Sequence, residues 1–145
     1  MRQQMQALER RMMFDATLTG LAANITFNEN TINTTHTQID TAVTIGGSTT
    51  SFTDVNRVIS TTGGVDDQMA VRNQGTGAGQ IGYRNSIVTY ANVEIGTVGL
   101  ENGIDGANLT VKLNSAATQA AIEALIENIT YRNQDDTPLA SRNIT

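Results

Sequence analysis

Cysteine and tryptophan are absent from this chain of 145 residues, and proline and histidine occur once each, as Pro138 and His36. Without thiols there can be no disulfide, thiolate zinc site, iron–sulfur cluster or cysteine nucleophile. A lone imidazole leaves histidine-based metal or triad chemistry without partners, and His36, in Asn33-Thr34-Thr35-His36, reads as an exposed loop residue. Lysine is nearly missing as well, with Lys112 alone, and 14 acidic residues against 9 Lys and Arg give a net charge of −5. That sign disfavours nucleic acid as a partner. Aromatic residues make up 4%, too few to offer many stacking platforms for sugars. No stretch approaches the roughly 18–20 apolar residues that span a bilayer, so membrane insertion is not expected. Nor does any pairing of nucleophile and base stand out, so the chain reads as a non-enzyme.

What remains is rich in Thr, Asn, Gly, Val and Ile, and from about Leu21 its hydrophobic period is two, the period of a strand with one wet face. Leu109, Val111 and Leu113 alternate with Thr110 and Lys112, and Met69 and Val71 with Gln68, Ala70 and Arg72. Ile25/Phe27, Val43/Ile45, Val88/Tyr90, Val93/Ile95 and Ile129/Tyr131 repeat the pattern. Gly46-Gly47-Ser48, Gly63-Gly64, Gly75-Thr76-Gly77, Asn85-Ser86, Ala91-Asn92 and Asn102-Gly103 separate these runs with residues that close hairpins. Short strands with regular turns predict a mainly β chain, an antiparallel β-sandwich of about one domain.

One short amphipathic helix interrupts the pattern. Between Thr118 and Ile129 the apolar residues Ile122, Leu125, Ile126 and Ile129 fall at i, i+3, i+4 and i+7, with Thr118 or Ser115 placed to cap the start and Asn128 to leave the end. Residues 1–20 differ again: Met1, Met5, Leu8 and Met12 lie at helical spacing among charges, which predicts a helical or disordered leader ahead of a sandwich over 21–145. Glu9-Arg10-Arg11 interrupts the apolar run that an ordinary secretory signal needs. At the other end, Asp135-Asp136-Thr137-Pro138 predicts a stiff turn before a last strand, Ser141–Thr145, that reads as cut short.

Loop carboxylates are the main candidates for chemistry, because hard oxygen ligands there can converge on Ca2+ with backbone carbonyls completing the shell. The candidate ligands are Glu29, Asp66, Asp67, Asp105, Asp135 and Asp136, the two Asp-Asp pairs foremost because adjacent carboxylates repel unless something positive lies near. The competing reading is that such residues close turns with their own side chains. Gly77-Ala78-Gly79-Gln80-Ile81-Gly82 matches GxGxxG, but Tyr83–Tyr90 reads as a hairpin where a dinucleotide site requires a helix. The sequons Asn24-Ile25-Thr26, Asn108-Leu109-Thr110 and Asn128-Ile129-Thr130 carry meaning only on a eukaryotic secretory route.

Four stretches, Ile25 to Thr31, Val71 to Gly82, Ala120 to Tyr131, and Asp136-Thr137-Pro138 with Ser141-Arg142, resemble a cadherin-like repeat of giant bacterial secreted adhesins over roughly residues 24–145. Ala7-Leu8-Glu9-Arg10-Arg11-Met12-Met13-Phe14-Asp15-Ala16 is similar to the Leu-Glu-Pro-Arg leader of such proteins, many exported by type I secretion, with Arg10 in the place of the proline. The resemblance implies a non-catalytic, Ig-like sandwich module at the surface of a Gram-negative bacterium. It implies Ca2+ as cofactor, and as partners the neighbouring repeats of the same chain and a host or cell-surface glycan or protein. Two other readings compete. A carbohydrate-binding module would need Tyr83, Tyr90 and Tyr131 as an exposed coplanar strip, and a filament subunit would complete its sheet with a donated strand.

Overall fold

Alternate side chains in this chain are sorted between a dry interior and a wet exterior, and the sorting is sharpest where the period of two is cleanest. The computed structural model describes residues 17–22, 25–47, 56–59 and 64–137. Strand β5 (Asp67–Val71) buries its first, third and fifth residues, and β9 (Leu109–Leu113) buries Leu109, Val111 and Leu113. β10 (Ile129–Asn133) directs Ile129, Tyr131 and Asn133 inward in register with β5, pairing Ile129 with Val71, Tyr131 with Met69 and Asn133 with Asp67.

Among the described residues there are ten strands and two helices, and every strand pairing is antiparallel. A five-stranded sheet runs in the order β4 (Asn56–Ile59), β9, β8 (Val93–Asn102), β7 (Ile87–Tyr90), β6 (Ile81–Arg84). A three-stranded sheet has β10 between β2 (Thr37–Gln38) and β5, and β1 (Thr17–Thr19) pairs with β3 (Thr44–Gly46). The chain is an antiparallel β-sandwich: Met69, Val71, Ile129 and Tyr131 of the smaller sheet share one core with Ile81, Val88, Val98, Leu109, Val111 and Leu113 of the larger. The β6–β7 and β7–β8 connections are two-residue turns with positive φ at both positions, Asn85 (50°) with Ser86 (66°) and Ala91 (48°) with Asn92 (66°), the backbone of a type I′ hairpin.

Helix α2 (Gln119–Glu127) lies where the 3.6-residue period places it. The Thr118 hydroxyl accepts from Ala121 N at 3.2 Å, and Ala121, Ile122 and Leu125 are buried in the common core. Three differences from the sequence reading stand out. Ile25 and Phe27 form no strand: Asn28 turns the chain into a one-turn second helix, α1 (Glu29–Ile32), its carbonyl accepting from Thr31 and Ile32, and the Phe27 ring stacks on Tyr131 with centroids 6.0 Å apart. Two alternating residues are too few to fix a strand once an Asn carbonyl can open a turn. Second, Thr17–Thr19 lies inside the stretch read as leader yet is a strand on β3, with Leu18 opposite Ile45. Third, Gly75-Thr76-Gly77 closes no hairpin; it belongs to the loop between β5 and β6. The helical periodicity of residues 1–16, the proline of the stiff turn and the last strand at Ser141–Thr145 lie outside the described residues.

β3 has a second edge, and α2 covers it with side chains instead of a strand. Glu127 Oε1 accepts from Val43 N at 3.1 Å, Glu123 Oε1 accepts from Ile45 N at 2.7 Å, and Gln119 Nε2 donates to the Ile45 carbonyl. The spacings match: four helical residues rise about 6 Å, and two strand residues about 6.6 Å. Hydrogen bonds to a charged acceptor are worth roughly 1.5–3 kcal/mol. Glu123→Ala is therefore expected to raise the amide exchange rate of Ile45 about tenfold or more in hydrogen-exchange NMR, and Glu127→Ala that of Val43, while amides in the β8–β9 ladder keep theirs.

Candidate functional site

Five of the six candidate ligands converge on one end of the sandwich. β5 begins there and β10 ends there, so Asp66 and Asp67 stand beside Asp135 and Asp136, with Gln134 N donating to the Asp66 carbonyl at 3.0 Å. The loop between β8 and β9 closes onto the same place. Gly106 N donates to the Asp67 carbonyl at 2.9 Å, Met69 N to the Gly103 carbonyl at 2.7 Å, and the turn from Ile104 to Ala107 carries Asp105 at φ 55°. Gly103 (φ 79°) is needed for this approach, because a Cβ on it would lie 2.2 Å from the Met69 carbonyl oxygen. Glu29 is set apart, in the single turn of α1.

Within this group the carboxylates have different fates. Asp66, Asp105 and Asp136 are exposed. Asp135 closes a turn, its Oδ1 accepting from Thr137 N at 2.9 Å, which is the turn-closing role open to any loop Asp. Asp67 is not a loop residue: it is 0% exposed, and its Oδ1 accepts from the Tyr131 hydroxyl at 2.5 Å and from Asn133 Nδ2 at 2.6 Å. Asn133 Oδ1 in turn accepts from Asp135 N at 2.8 Å. A buried carboxylate is tolerable only when it is fully hydrogen-bonded, and here the bonds tie β5 to β10 and to the acidic end. Asp67 thus serves as a structural clasp between β5 and β10. Among the described residues, no three acidic or histidine side chains come close enough together to hold a metal ion.

Tyr131 is 3% exposed, and Tyr83 and Tyr90 are half-buried against the core, so the three rings form no exposed coplanar strip. Gly82 of the GxGxxG stretch lies inside β6 and opens no helix. The loop ahead of it folds on its own side chains. Gln80 Oε1 accepts from Gly77 N within the loop, while Gln74 Oε1 accepts from Ile81 N and Asn73 Oδ1 from Tyr83 N, and these two cover the outer edge of β6.

Sequence reasoning missed the outward face of the small sheet. The pairing sets Arg132 beside Gln68 and Thr130 between Gln38 and Ala70, and Arg72 follows the last residue of β5. Arg72 Nη1 donates to Gln38 Oε1 at 2.7 Å, and Arg132 donates through Nε and Nη2 to the Asn33 carbonyl, both at 3.3 Å. His36 Nδ1 meets Thr130 Oγ1 at 3.4 Å on the same face. It also lines a cleft of about 180 Å3 along β5 with Gln68, Tyr83, Asn102 and Ile104. The signal was present in the phase of the strand: Arg72 and Arg132 share parity with the polar residues of their strands. A second, more open hollow of about 250 Å3 is lined by Glu94, Gly96, Thr97, Lys112, Asn114 and Ser115.

Comparisons of the chain with protein-family models, with curated proteins and with solved structures found no match.

Two outcomes follow from this geometry. Tyr131→Phe is expected to cost about 1.5–3 kcal/mol in urea unfolding, because it removes a donor from a buried acceptor. A double-mutant cycle with Asp67→Asn should show coupling of about 0.5–3 kcal/mol, and additivity would remove the clasp. His36 is held below its ordinary pKa by partial desolvation first and then by the Arg132 guanidinium. A base depressed in the folded state contributes stability that is present above its unfolded pKa and lost as pH falls through the folded one. Arg132→Gln should raise the His36 midpoint in an NMR titration, where a single histidine makes the assignment unambiguous, and shrink that acid-side loss.

Proposed function

We propose that this chain is a non-catalytic sandwich repeat, a spacer or adhesion module of a large secreted bacterial surface protein of the cadherin-like kind. The observation that carries the reading is the gathering of Asp66, Asp67, Asp105, Asp135 and Asp136 at the end where β10 hands the chain onward. An adjoining module would meet the protein there, and a cation between the two would be bound by carboxylates of both with loop carbonyls. The core supports a load-bearing role: both sheets, α2 and the Phe27–Tyr131 stack share one buried cluster, and strands pulled along their length shear many ladder bonds at once. Neighbouring repeats and a surface glycan or protein are the partners in this reading, and the extracellular face of a Gram-negative cell is the place.

Calcium stabilisation is the part most directly tested. A ligand that binds only the folded state raises the melting midpoint by mass action. Calorimetric melting of the chain at millimolar Ca2+ should show a higher midpoint than in chelator, and Asp135→Asn with Asp136→Asn should abolish the increment. An unchanged midpoint would remove Ca2+ and its candidate ligands from the reading while leaving the spacer role to be judged by force spectroscopy.

A further inference from the structure

Two surfaces of opposite charge stand on this one module, and strand β5 joins them: Asp66 immediately precedes its first residue and Arg72 immediately follows its last. The basic surface is the outward face of the β2–β10–β5 sheet. Its outward positions are Gln68 and Ala70 on β5, with Asp66 before and Arg72 after them, Arg132 and the buried Thr130 on β10, and Gln38 on β2 preceded by His36; the carboxylate in this phase, Asp66, stands at the acidic end. Among the described residues neither guanidinium meets a carboxylate. Arg72 is bonded to the Gln38 amide and Arg132 to the Asn33 carbonyl, both neutral acceptors. In a chain with 14 acids to 9 Lys and Arg, two arginines and the sole histidine on one sheet face, with Asp66 at its acidic edge, are a segregation of charge.

The acidic surface is the strand end described above. Its loops expose Val65 (71%) and Ile104 (47%), brought together because Gly106 packs on the Gly64 carbonyl, where a Cβ would lie 2.7 Å from the oxygen. Asp66 and Asp105 adjoin these two residues in the chain, and Asp135 and Asp136 follow the end of β10 at the same end of the sandwich. Exposed apolar and charged residues at one place are what a small protein interface is made of.

We propose that the acidic strand end of one copy of this chain docks on the arginine-bearing sheet face of a second copy. The two surfaces adjoin at Asp66, and among the described residues both guanidiniums are bonded to neutral acceptors of their own copy. The contact joins unlike surfaces and leaves a free face and a free end on every pair, so it propagates beyond the dimer, into a ring where the rotation closes and a filament where it does not. Exposed ion pairs contribute only about 0–1 kcal/mol each, so the association is weak and sensitive to salt. The inference does not depend on the function proposed above, and it needs no calcium.

Charge exchange on the full 145-residue chain tests it. Sedimentation velocity in chelator at about 0.1 M salt, where screening extends over roughly 10 Å, should show the mass of the wild type rising with concentration and the rise suppressed in 1 M salt. Arg72→Glu with Arg132→Glu in one variant, and Asp135→Lys with Asp136→Lys in another, should each weaken association more than about tenfold, and an equimolar mixture of the two should restore it. If either variant melts early, Arg72→Gln with Arg132→Gln serves in its place for the loss of association. As a second readout, the wild-type His36 resonance should titrate at higher pH as concentration rises, because docking brings carboxylates beside it. A wild type that stays monomeric at millimolar concentration overturns the proposal, as does a mixture of folded variants that fails to associate. Wild type that remains monomeric yet retains dextran sulfate on the same arginines assigns the face to a polyanion and equally overturns it.

Discussion

The pairing of β5 with β10 around a buried carboxylate is the constraint on which the remaining structure depends. Asp67 is fully enclosed, and an enclosed carboxylate whose bonds are incomplete costs more than most single contacts provide. Tyr131 and Asn133 reach it only when the two strands hold the observed register, since a slip of one residue would turn both side chains to solvent and bring Arg132 and Thr130 inward. The clasp therefore selects one alignment from several that apolar burial alone would accept. Once that alignment is set, the β8–β9 loop has a fixed place to land, with Gly103 and Gly106 against the backbone of Met69 and Asp67.

The edges of the sheets are managed by side chains to an unusual degree. Glu123, Glu127 and Gln119 of α2 occupy the position of a missing strand beside β3, while Asn73 and Gln74 do the same for β6. Open ladder groups invite pairing with other chains, and amide or carboxylate oxygens placed on them close that route without adding another strand. This gives an Asn- and Gln-rich composition a physical role beyond solubility. It also means that association through a donated strand would have to displace these side chains at β3 and β6, whereas Arg72 and the carboxylates Asp66, Asp105 and Asp136 are exposed as they stand.

Much of the fold was legible in the sequence. The alternation in Leu109–Leu113 marks a strand because three successive inward residues are apolar, whereas the shorter Met69/Val71 and Ile129/Tyr131 pairs become strands by pairing with each other. Asn85-Ser86 and Ala91-Asn92 mark two-residue hairpins, and the 3.6-residue period marks α2. Ile25 and Phe27 mislead because two residues cannot distinguish a strand from an extended approach to a turn. Thr17–Thr19 misleads in the opposite sense: it is too short and too exposed to signal itself, and becomes a strand only because β3 presents an edge. The candidate site was legible as a list of acids and illegible as a place. Asp67 shares the inward phase of Met69 and Val71, and that phase, rather than its acidic side chain, foretold its burial.

By itself, then, the sequence determined which local states are available: where alternation makes a strand, where positive φ makes a turn, and that thiol and histidine-cluster chemistry is closed to this chain. Those are properties of neighbours within a few residues. Tertiary structure alone decided that Asp66 and Asp105 stand at the same end as Asp135, that Asp67 is a clasp, and that Arg72, Arg132 and His36 share one sheet face. These depend on strand order and register between segments far apart in the chain, 34 residues for Arg72 and Gln38, 66 for Asp67 and Asn133 and 94 for His36 and Thr130. The energy that fixes such a register comes from contacts that do not exist until the chain has closed on itself.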